Sequence, residues 1–246
     1  MGRIVFKFVA TILGLLIMWE LLCWLIGVRS YLLPPPSMVF RSGWEYRQAL
    51  STDFLYTLVE SVCGFVLALF IGLLLASLTF IINSTRRPII VVAVSLKSVP
   101  IVICAPIFLL WFGYGMTAKL LLAAVVALFP ILVAGVEGIS SASQAEHDLF
   151  RAFGATRWQL FRKLIVPRSV PMLIAGMRIS APSAVLGSLI AETAGARHGL
   201  GVTMTIASAN LNSGLVFAAA MLAAALGLLA FTSVAGIEWC LRKYTS

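Results

Sequence analysis

Charged residues are scarce in this chain. Asp, Glu, Lys and Arg together make up 11% of its 246 residues, whereas 61% are hydrophobic. The polar surface of a soluble fold cannot cover so large an apolar fraction, so the composition excludes a soluble globular protein. The apolar residues fall into stretches of about 20 or more, the length that a helix needs to cross about 30 Å of hydrocarbon. We therefore expect an all-α, polytopic membrane protein with one transmembrane domain over residues 1–246.

The residue types that build metal sites and catalytic centres are also few. Each of the four cysteines, Cys23, Cys63, Cys104 and Cys240, lies alone within a hydrophobic run. Without a Cys-x-x-Cys pair they have no metal-ligand spacing. The two histidines, His147 and His198, fall on loops that we expect on opposite sides of the membrane. The sequence contains no phosphate-binding loop, serine-hydrolase elbow or zinc-protease motif. We expect neither a metal site nor covalent catalysis.

Six candidate membrane spans can be placed by their apolar runs, at residues 4–26, 54–82, 88–112, 117–141, 169–191 and 214–241. The first run is too long for the apolar region of a signal peptide, so we expect it to be retained. Between the first two spans, Pro34, Pro35 and Pro36 forbid a helix. Ser37 is a candidate cap for a short amphipathic helix behind them, lying at a membrane surface.

Lysine and arginine in the loops predict the orientation, because cytoplasmic segments retain positive charge. With the N-terminus inside, the cytoplasmic set is Arg3, Lys7, Arg86, Arg87, Arg151, Arg157, Arg162, Lys163, Arg168, Arg242 and Lys243. The opposite set is Arg29, Arg41, Arg47, Lys119 and Arg197. This imbalance predicts that both termini are cytoplasmic. Topology and attraction to anionic lipid then account for the net charge of +9 better than nucleic-acid binding does.

Charged residues inside the spans are informative, because a charge near the bilayer centre costs about 2.5 to 3.5 kcal/mol on insertion scales. The four deepest are Glu20, Glu60, Lys97 and Arg178. We interpret them first as members of ion pairs between helices and second as solute contacts, and Glu60 and Arg178 are candidate partners. Glu192 and Glu238 lie at span ends, where we expect them to reach headgroups or water.

The third and fifth spans favour a polar passage. Pro100 and Pro106 remove backbone donors from the third span, so we expect it to bend, and a bent helix can gate a pathway. An ordinary membrane-helix kink is the alternative. The fifth span is rich in small and hydroxyl residues, which would line a passage or allow close helix packing. The candidate pathway residues are Pro100, Pro106, Arg178, Ser180, Ser183, Ser188 and Glu192.

One polar and basic segment, DLFRAFGATRWQLFRKLIVP at residues 148–167, interrupts the apolar chain. Its pattern predicts a short helix ended by Gly154 and a second helix capped by Thr156 and stopped by Pro167. Asp148 in the first helical turn and Arg151 three residues later form a favourable pair. The apolar face of the second helix consists of Trp158, Leu160, Phe161, Leu164 and Ile165. We interpret the segment as a docking surface for another protein; an amphipathic helix lying on lipid is the alternative.

This segment resembles the EAA loop of binding-protein-dependent ABC importer permeases. The family pattern is Glu-Ala-Ala, three residues, Gly, nine residues, Ile, one residue and Leu-Pro. Gly154 and Pro167 match it, so the spacing is intact. The substituted positions are Asp148, Leu149 and Phe150 for Glu-Ala-Ala, Leu164 for Ile and Val166 for Leu. Similarity to the nitrate, sulfonate and taurine branch extends over residues 33–37, 111–115, 129–131, 157–161 and 199–201, with Lys119 and Glu192. Glu60 stands where that branch has an arginine.

The resemblance implies a type I ABC importer permease in the bacterial cytoplasmic (inner) membrane. It implies a homodimer that forms the solute pathway, two ABC ATPase subunits that use ATP and Mg, and a periplasmic or extracellular solute-binding protein. The chain itself would be no enzyme and would bind no cofactor. The solute would be a nitrate-, sulfonate- or taurine-like anion or a small heterocyclic vitamin precursor. The coupling loop would be residues 142–168, with Asp148, Arg151, Gly154, Ala155, Trp158, Leu164 and Pro167 as its site residues.

Two other classes remain as alternatives from the residues alone. An ion-coupled secondary transporter would use sites at broken helices, and the third and fifth spans can be interpreted in that way, although no internal repeat is evident. An intramembrane hydrolase would need a positioned catalytic set inside the spans, and both histidines lie outside them.

Overall fold

The structure is a computed structural model that describes the backbone of residues 2–245 and the side chains of residues 10–238 other than 12, 83 and 96. Helices form nearly all of the described backbone, and no strand occurs within it. The prediction of an all-α fold is therefore confirmed. Some residues used to predict topology and cysteine chemistry lie outside the described side chains: Arg3, Lys7, Cys240, Arg242 and Lys243.

Eleven α-helices follow one another along this described backbone. The first five are α1 (Gly2–Ile26), α2 (Pro36–Glu45), α3 (Arg47–Ile81), α4 (Arg86–Ser98) and α5 (Ile101–Phe112). The next three are α6 (Met116–Ile139), α7 (Gln144–Ala152) and α8 (Arg157–Leu160). A π-helical turn (Phe161–Ile165) leads into α9 (Val166–Thr193), which is followed by α10 (Leu200–Ala209) and α11 (Ser213–Thr245).

Four helical segments are long and apolar enough to cross a membrane: Arg47–Ile81, Met116–Ile139, Arg157–Thr193 and Ser213–Glu238. Three shorter apolar helices accompany them in the described part of the chain, at Leu13–Ile26, Ile101–Phe112 and Leu200–Ala209. The first of these belongs to the 25-residue α1, which coincides with the first predicted span. The second belongs to the third predicted span, which differs from the prediction.

The third span is broken rather than bent. It consists of α4 and α5, and Pro100 is the N-cap of α5 with extended φ and ψ of −61° and 109°. A proline cannot donate the backbone hydrogen bond that would join the two helices, and it keeps the preceding Val99 out of the α-helical region. Pro106, by contrast, lies inside α5, which continues through it.

The centre of the fold is α6, against which α3 and α9 pack closely. A Cβ added at Gly64 of α3 would lie 2.5 Å from the Cβ of Ala123, and one at Gly187 of α9 would lie 2.7 Å from the Ala123 Cα. Small residues thus bring three helix backbones together, as in other membrane bundles. The small residues of the fifth span serve this packing in part, which was one of the two sequence interpretations.

The short helix predicted behind the prolines exists as α2, but Ser37 is not its cap. The helix begins at Pro36, whose fixed φ suits a first helical position and whose missing N–H would have had no partner there. Ser37 instead donates from its backbone N–H and its hydroxyl to the carboxylate of Glu20, at 3.0 and 2.7 Å. Glu20 therefore joins α1 to α2.

Candidate functional site

The two-helix loop, residues 142–168, is built from two capping boxes. At the start of α7, the Ser143 hydroxyl accepts from the backbone N–H of Glu146, and the Glu146 carboxylate accepts from the Ser143 N–H at 2.8 Å. At the start of α8, Thr156 and Gln159 form the same reciprocal pair. Each box satisfies two N–H groups that a helix start leaves without partners. The predicted Thr156 cap is confirmed.

The first helix of the loop begins earlier than predicted. Because α7 starts at Gln144, Glu146 is the acid of its first turn, and Asp148 lies one turn further on. Asp148 and Arg151 do form the predicted i,i+3 pair, at 3.9 Å, but both side chains are exposed. Exposed pairs of this kind contribute about 0 to 1 kcal/mol. The Asp148–Arg151 pair therefore does not fix the loop.

Gly154 makes the turn between the two loop helices. Its φ is +70°, in the left-handed region that glycine adopts without strain. The turn is closed by hydrogen bonds from the Gly154 N–H to the Arg151 carbonyl at 2.9 Å and from the Ala155 N–H to the Phe150 carbonyl at 3.0 Å. Any other residue at Gly154 must adopt the same backbone angles to keep this turn.

An apolar cluster and an ion pair hold the loop against the bundle. Leu160, Leu164 and Ile165 are buried with Phe80 at the end of α3 and Ile139 at the end of α6. Arg168, in the first turn of α9, forms an ion pair with Glu146. The Arg168 hydrogen bond, followed by that of the Ser143 backbone, lowers the pKa of Glu146 to about 2. The loop is therefore fixed from both of its helices.

Three large apolar side chains of the loop are exposed, alongside charged ones. Leu149 is 54% exposed, Phe153 81% and Trp158 67%. None of the residues of α7 is buried. Three large apolar side chains on one short, anchored segment form a surface suited to a protein partner.

The sequence predicts that Pro167 stops the second loop helix, and this prediction is wrong. The segment 157–193 is continuous, and Pro167 lies in the first turn of α9. A proline cannot donate to the carbonyl four residues earlier, that of Lys163, and in a regular helix it would collide with that carbonyl. The π-helical turn Phe161–Ile165 lies there and widens the helix just ahead of the proline. The second loop helix and the fifth span are thus one continuous helix.

A second candidate site is a cleft of about 540 Å³ between α4, α6 and α9, beside the break at Pro100. Its walls are mostly apolar, and Pro100 and Ser183 of the candidate pathway set line it. Lys97 also lines it, with its Nζ 4.6 Å from the centroid of the Phe129 ring. The sequence indicated Lys97 as a deep charge, with solute contact as the second interpretation, but Lys97 was not among the candidate pathway residues.

The other candidate pathway residues lie elsewhere. Ser180 and Ser188 are fully buried between helices: the Ser180 hydroxyl donates to the Ala127 carbonyl, and that of Ser188 lies 2.9 Å from the Ser61 hydroxyl. Pro106 is exposed on α5. These three residues, together with Arg178 and Glu192, do not line the cleft.

Glu192 is buried, contrary to the expectation that it reaches headgroups or water. It is 1% exposed and accepts hydrogen bonds from the Thr57 hydroxyl and from the backbone N–H of Gly201, both at 2.7 Å. The Thr57 hydroxyl oxygen also accepts from the Leu200 N–H at 3.0 Å. These bonds tie the start of α10 to α3 and α9. A carboxylate at the end of a span can thus accept from a backbone N–H in the first turn of the next helix. The glycines around Leu200 were the only indication of this contact in the sequence.

The predicted pair of Glu60 and Arg178 is wrong. Glu60 forms a buried ion pair with Lys119 of α6, and Lys119 also donates to the His198 carbonyl at 3.3 Å. Arg178 pairs with Glu238 of α11 at 2.8 Å. Ion pairing between helices was the preferred interpretation of the deep charges, and it holds for both residues with other partners. Helix neighbours, which one sequence does not reveal, decide which charges meet.

The sequence matches a family model described as "Binding-protein-dependent transport system inner membrane component" over residues 64–238. The chain belongs to this family. The resemblance seen in the two-helix loop is confirmed: the protein is a permease subunit of an ABC importer and a multi-pass membrane protein. Family membership disfavours the alternative of an ion-coupled secondary transporter.

Relatives of this permease carry several solute names. The formylaminopyrimidine transport permease protein ThiX of Halalkalibacterium halodurans is 33% identical and aligns over 92% of this chain and 90% of its own. The riboflavin transport system permease protein RibX of Chloroflexus aurantiacus is 32% identical, over 85% and 79%. The taurine transport system permease protein TauC of Escherichia coli is 25% identical, over 96% and 88%.

The fold of this permease is also found among solved structures. A chain of the MetNI methionine ABC transporter, solved in inward-facing conformations, superposes with a TM-score of 0.57. It is 22% identical in sequence, and the match covers 79% of this chain and 96% of that one. At this identity the likeness concerns the fold alone, and it agrees with the predicted type I permease architecture.

Proposed function

We propose that this permease works as a homodimer in the bacterial inner membrane, with both termini and the two-helix loop in the cytoplasm. Two ATPase subunits dock on the loops of the two copies, and a solute-binding protein delivers solute from the other side. ATP and Mg are bound by the ATPase subunits, and this chain binds no cofactor. The observation that carries the proposal is the uncovered apolar face of Leu149, Phe153 and Trp158 on an anchored loop.

The rod formed by α8, the π-helical turn and α9 supports a direct mechanical route. A displacement of the loop by an ATPase subunit is transmitted to α9 through this continuous helix and through the Glu146–Arg168 pair. Along the same helix, Ser183 lies in the wall of the cleft. The ATPase must bind the loop differently in its open and closed states, because equal binding would shift no equilibrium.

The coupling-loop residues named from the sequence differ in their proposed roles, and the docking face adds Leu149 and Phe153 to them. Trp158 and Arg151 face outward, whereas Leu164 anchors the loop to the bundle and Pro167 lies inside the rod. For the solute pathway we retain Pro100 and Ser183, which line the cleft. The solute is a nitrate-, sulfonate- or taurine-like anion or a small heterocyclic vitamin precursor. The relatives' names support the sulfonate, taurine and heterocycle classes, and the nitrate class rests on the sequence resemblance alone.

Copurification of the ATPase subunits with loop variants tests the docking face. We expect Phe153→Ala and Trp158→Ala to lower the amount of bound ATPase about tenfold or more, because exposed aromatic anchors dominate interface energies. Trp111→Ala is the matched control: Trp111 is 73% exposed at the end of α5, at the other end of the bundle. Unchanged ATPase binding by both loop variants would refute the proposal.

The importer function itself is tested by ATPase activity of the reconstituted complex. We expect stimulation by the binding protein only when it is loaded with the transported solute, so a panel of taurine, an alkanesulfonate, riboflavin and formylaminopyrimidine narrows the choice. Solute uptake by vesicles that contain this chain alone, driven by an ion gradient, would instead support a secondary transporter.

A further inference from the structure

Lys97 differs from the other charged residues that lie deep in the spans. Glu20 is bonded to Ser37, Glu60 to Lys119 and Arg178 to Glu238. Among the described side chains, no carboxylate forms an ion pair with Lys97, and its contact is the face of the Phe129 ring. A cation at this depth is costly unless it is shielded or used. The ion-pair interpretation therefore does not account for Lys97.

The position of Lys97 is central in the pair of helices that replaces the third span. It lies in the last turn of the 13-residue α4, immediately before the break, and the 12-residue α5 follows. At about 1.5 Å per residue, either end of the pair is about 20 Å away. Lys97 therefore lies close to the midpoint of the α4–α5 pair, beside the break between the two helices and in the lining of the cleft.

The cleft has the size and the lining of a site for a small organic solute. Its volume of about 540 Å³ falls in the range of roughly 300 to 1,000 Å³ that is usual for ligand pockets. Among the described residues that line it, Lys97 carries the single charge, and Ser183 adds a hydroxyl that already donates to the Ile179 carbonyl at 2.7 Å. Lys97 is thus the lining side chain that is able to donate a hydrogen bond to a solute. Apolar side chains form most of the remaining wall of the cleft.

We infer that this cleft is a transit site for a small organic monoanion, whose sulfonate or carboxylate pairs with Lys97 while its apolar body lies against Phe129 and the neighbouring walls. This rests on the proposed function, and it selects the anionic class from the proposed range of solutes. Apolar walls beside Lys97 lower the local polarity, which makes its attraction to an anion stronger than in water, and its positive charge repels cations. Strongly hydrated inorganic anions would lose too much hydration against these walls.

Charge-selective labelling of the cleft tests the inference whichever solute the importer carries. The full-length chain, with Cys23, Cys63, Cys104 and Cys240 replaced by serine and Ser183→Cys introduced, is reconstituted with its ATPase subunits. Two thiol reagents of similar size, the sulfonatoethyl and the trimethylammonioethyl methanethiosulfonates, are applied to both sides of the membrane. Ser51→Cys, exposed near the start of α3, gives the intrinsic ratio of the two reaction rates.

We expect the anionic reagent to be favoured at Ser183→Cys, with the ratio of rates falling on the order of tenfold in Lys97→Gln and persisting in Lys97→Arg. Lys97→Met, neutral and of similar length, replaces the glutamine variant if that variant fails to insert. An unchanged ratio in the neutral variant overturns the inference. So does a thiol at Ser183 that reacts with neither reagent, because the cleft would then be closed or filled by lipid.

The same complexes separate this inference from the proposed function. Charge selectivity without ATPase stimulation by the loaded binding protein would defeat the importer mechanism and leave the anion site standing. Stimulation without charge selectivity would defeat the anion site alone. Stimulation by a neutral heterocycle with no effect of Lys97→Gln on labelling would likewise overturn the assignment to anions.

Discussion

Glu192 near the end of α9 accepts a hydrogen bond from the backbone N–H of Gly201 in the first turn of α10, at 2.7 Å. The two residues are only nine positions apart, but the bond closes a reversal of the chain between two helices. Thr57 of α3 joins the same carboxylate. One buried side chain thereby fixes the position of α10 relative to two spans.

Removal of the Glu192 carboxylate should loosen α10. We expect Glu192→Ala to lower the free energy of unfolding in detergent by about 1 to 3 kcal/mol, because buried donors on Thr57 and Gly201 lose their acceptor. Glu192→Gln keeps one acceptor oxygen, so its free energy of unfolding should fall by less than that of Glu192→Ala. Thr193→Ala, at the exposed neighbouring position, is the control. Equal stability of Glu192→Ala and the control would contradict the role given to this side chain.

The Glu60–Lys119 pair should behave as a coupled unit. Loss of one member leaves a buried charge alone and should cost about 3 to 5 kcal/mol, whereas Glu60→Gln with Lys119→Met should recover part of that cost. Thermal unfolding of both single variants and of the double variant gives the coupling energy.

Glu60→Gln combined with Arg178→Met provides the comparison for that cycle. Glu60 and Arg178 have separate partners, so their effects should add. Coupling between Glu60 and Arg178 as large as that between Glu60 and Lys119 would show that the observed pairing is wrong.

Substitution of Gly154 should uncouple the ATPase without preventing insertion. Its φ of +70° costs roughly 1 to 2 kcal/mol for leucine, so we expect Gly154→Leu to distort the turn between α7 and α8. Gly154→Asn should retain most of the activity, because asparagine tolerates this conformation better. ATPase copurification and solute uptake are the measurements. Normal uptake by the leucine variant would refute a role of the turn in docking.

The Glu146–Arg168 pair should make the stability of the two-helix loop depend on pH. The folded-state pKa of Glu146, about 2, lies below its ordinary value of 4.5. The stabilisation is therefore complete above pH 4.5 and is lost as the pH falls toward 2. Proteolytic nicking of the loop, measured with an acid-active protease against Glu146→Gln, should differ at about pH 5 and converge toward about pH 2. A difference that does not change over this interval would argue against the ion pair.

The prolines show where local rules are sufficient and where they are not. Pro100 and Pro167 both remove a backbone donor from an apolar helical run, and the same rule predicted a bend at the first and a stop at the second. The chain breaks at Pro100 and continues through Pro167, because a π-helical turn precedes the latter. Whether a helix breaks or continues at a proline is therefore decided by the hydrogen-bond geometry around that proline, and not by the presence of a proline alone.

Composition and the lengths of the apolar runs were enough to indicate a polytopic helical membrane protein, because crossing a bilayer imposes length and polarity on each segment separately. Spacing within residues 148–167 was enough to indicate the permease family, and Thr156 was recognisable as a cap because capping involves residues three positions apart. Only the tertiary structure decided that Glu60 meets Lys119, that Glu192 holds α10 and that Lys97 faces a cleft. Those contacts depend on which helices are neighbours and on how each helix is rotated about its axis. Helices that are apolar on nearly every side carry little information in their sequence about their neighbours or their rotation.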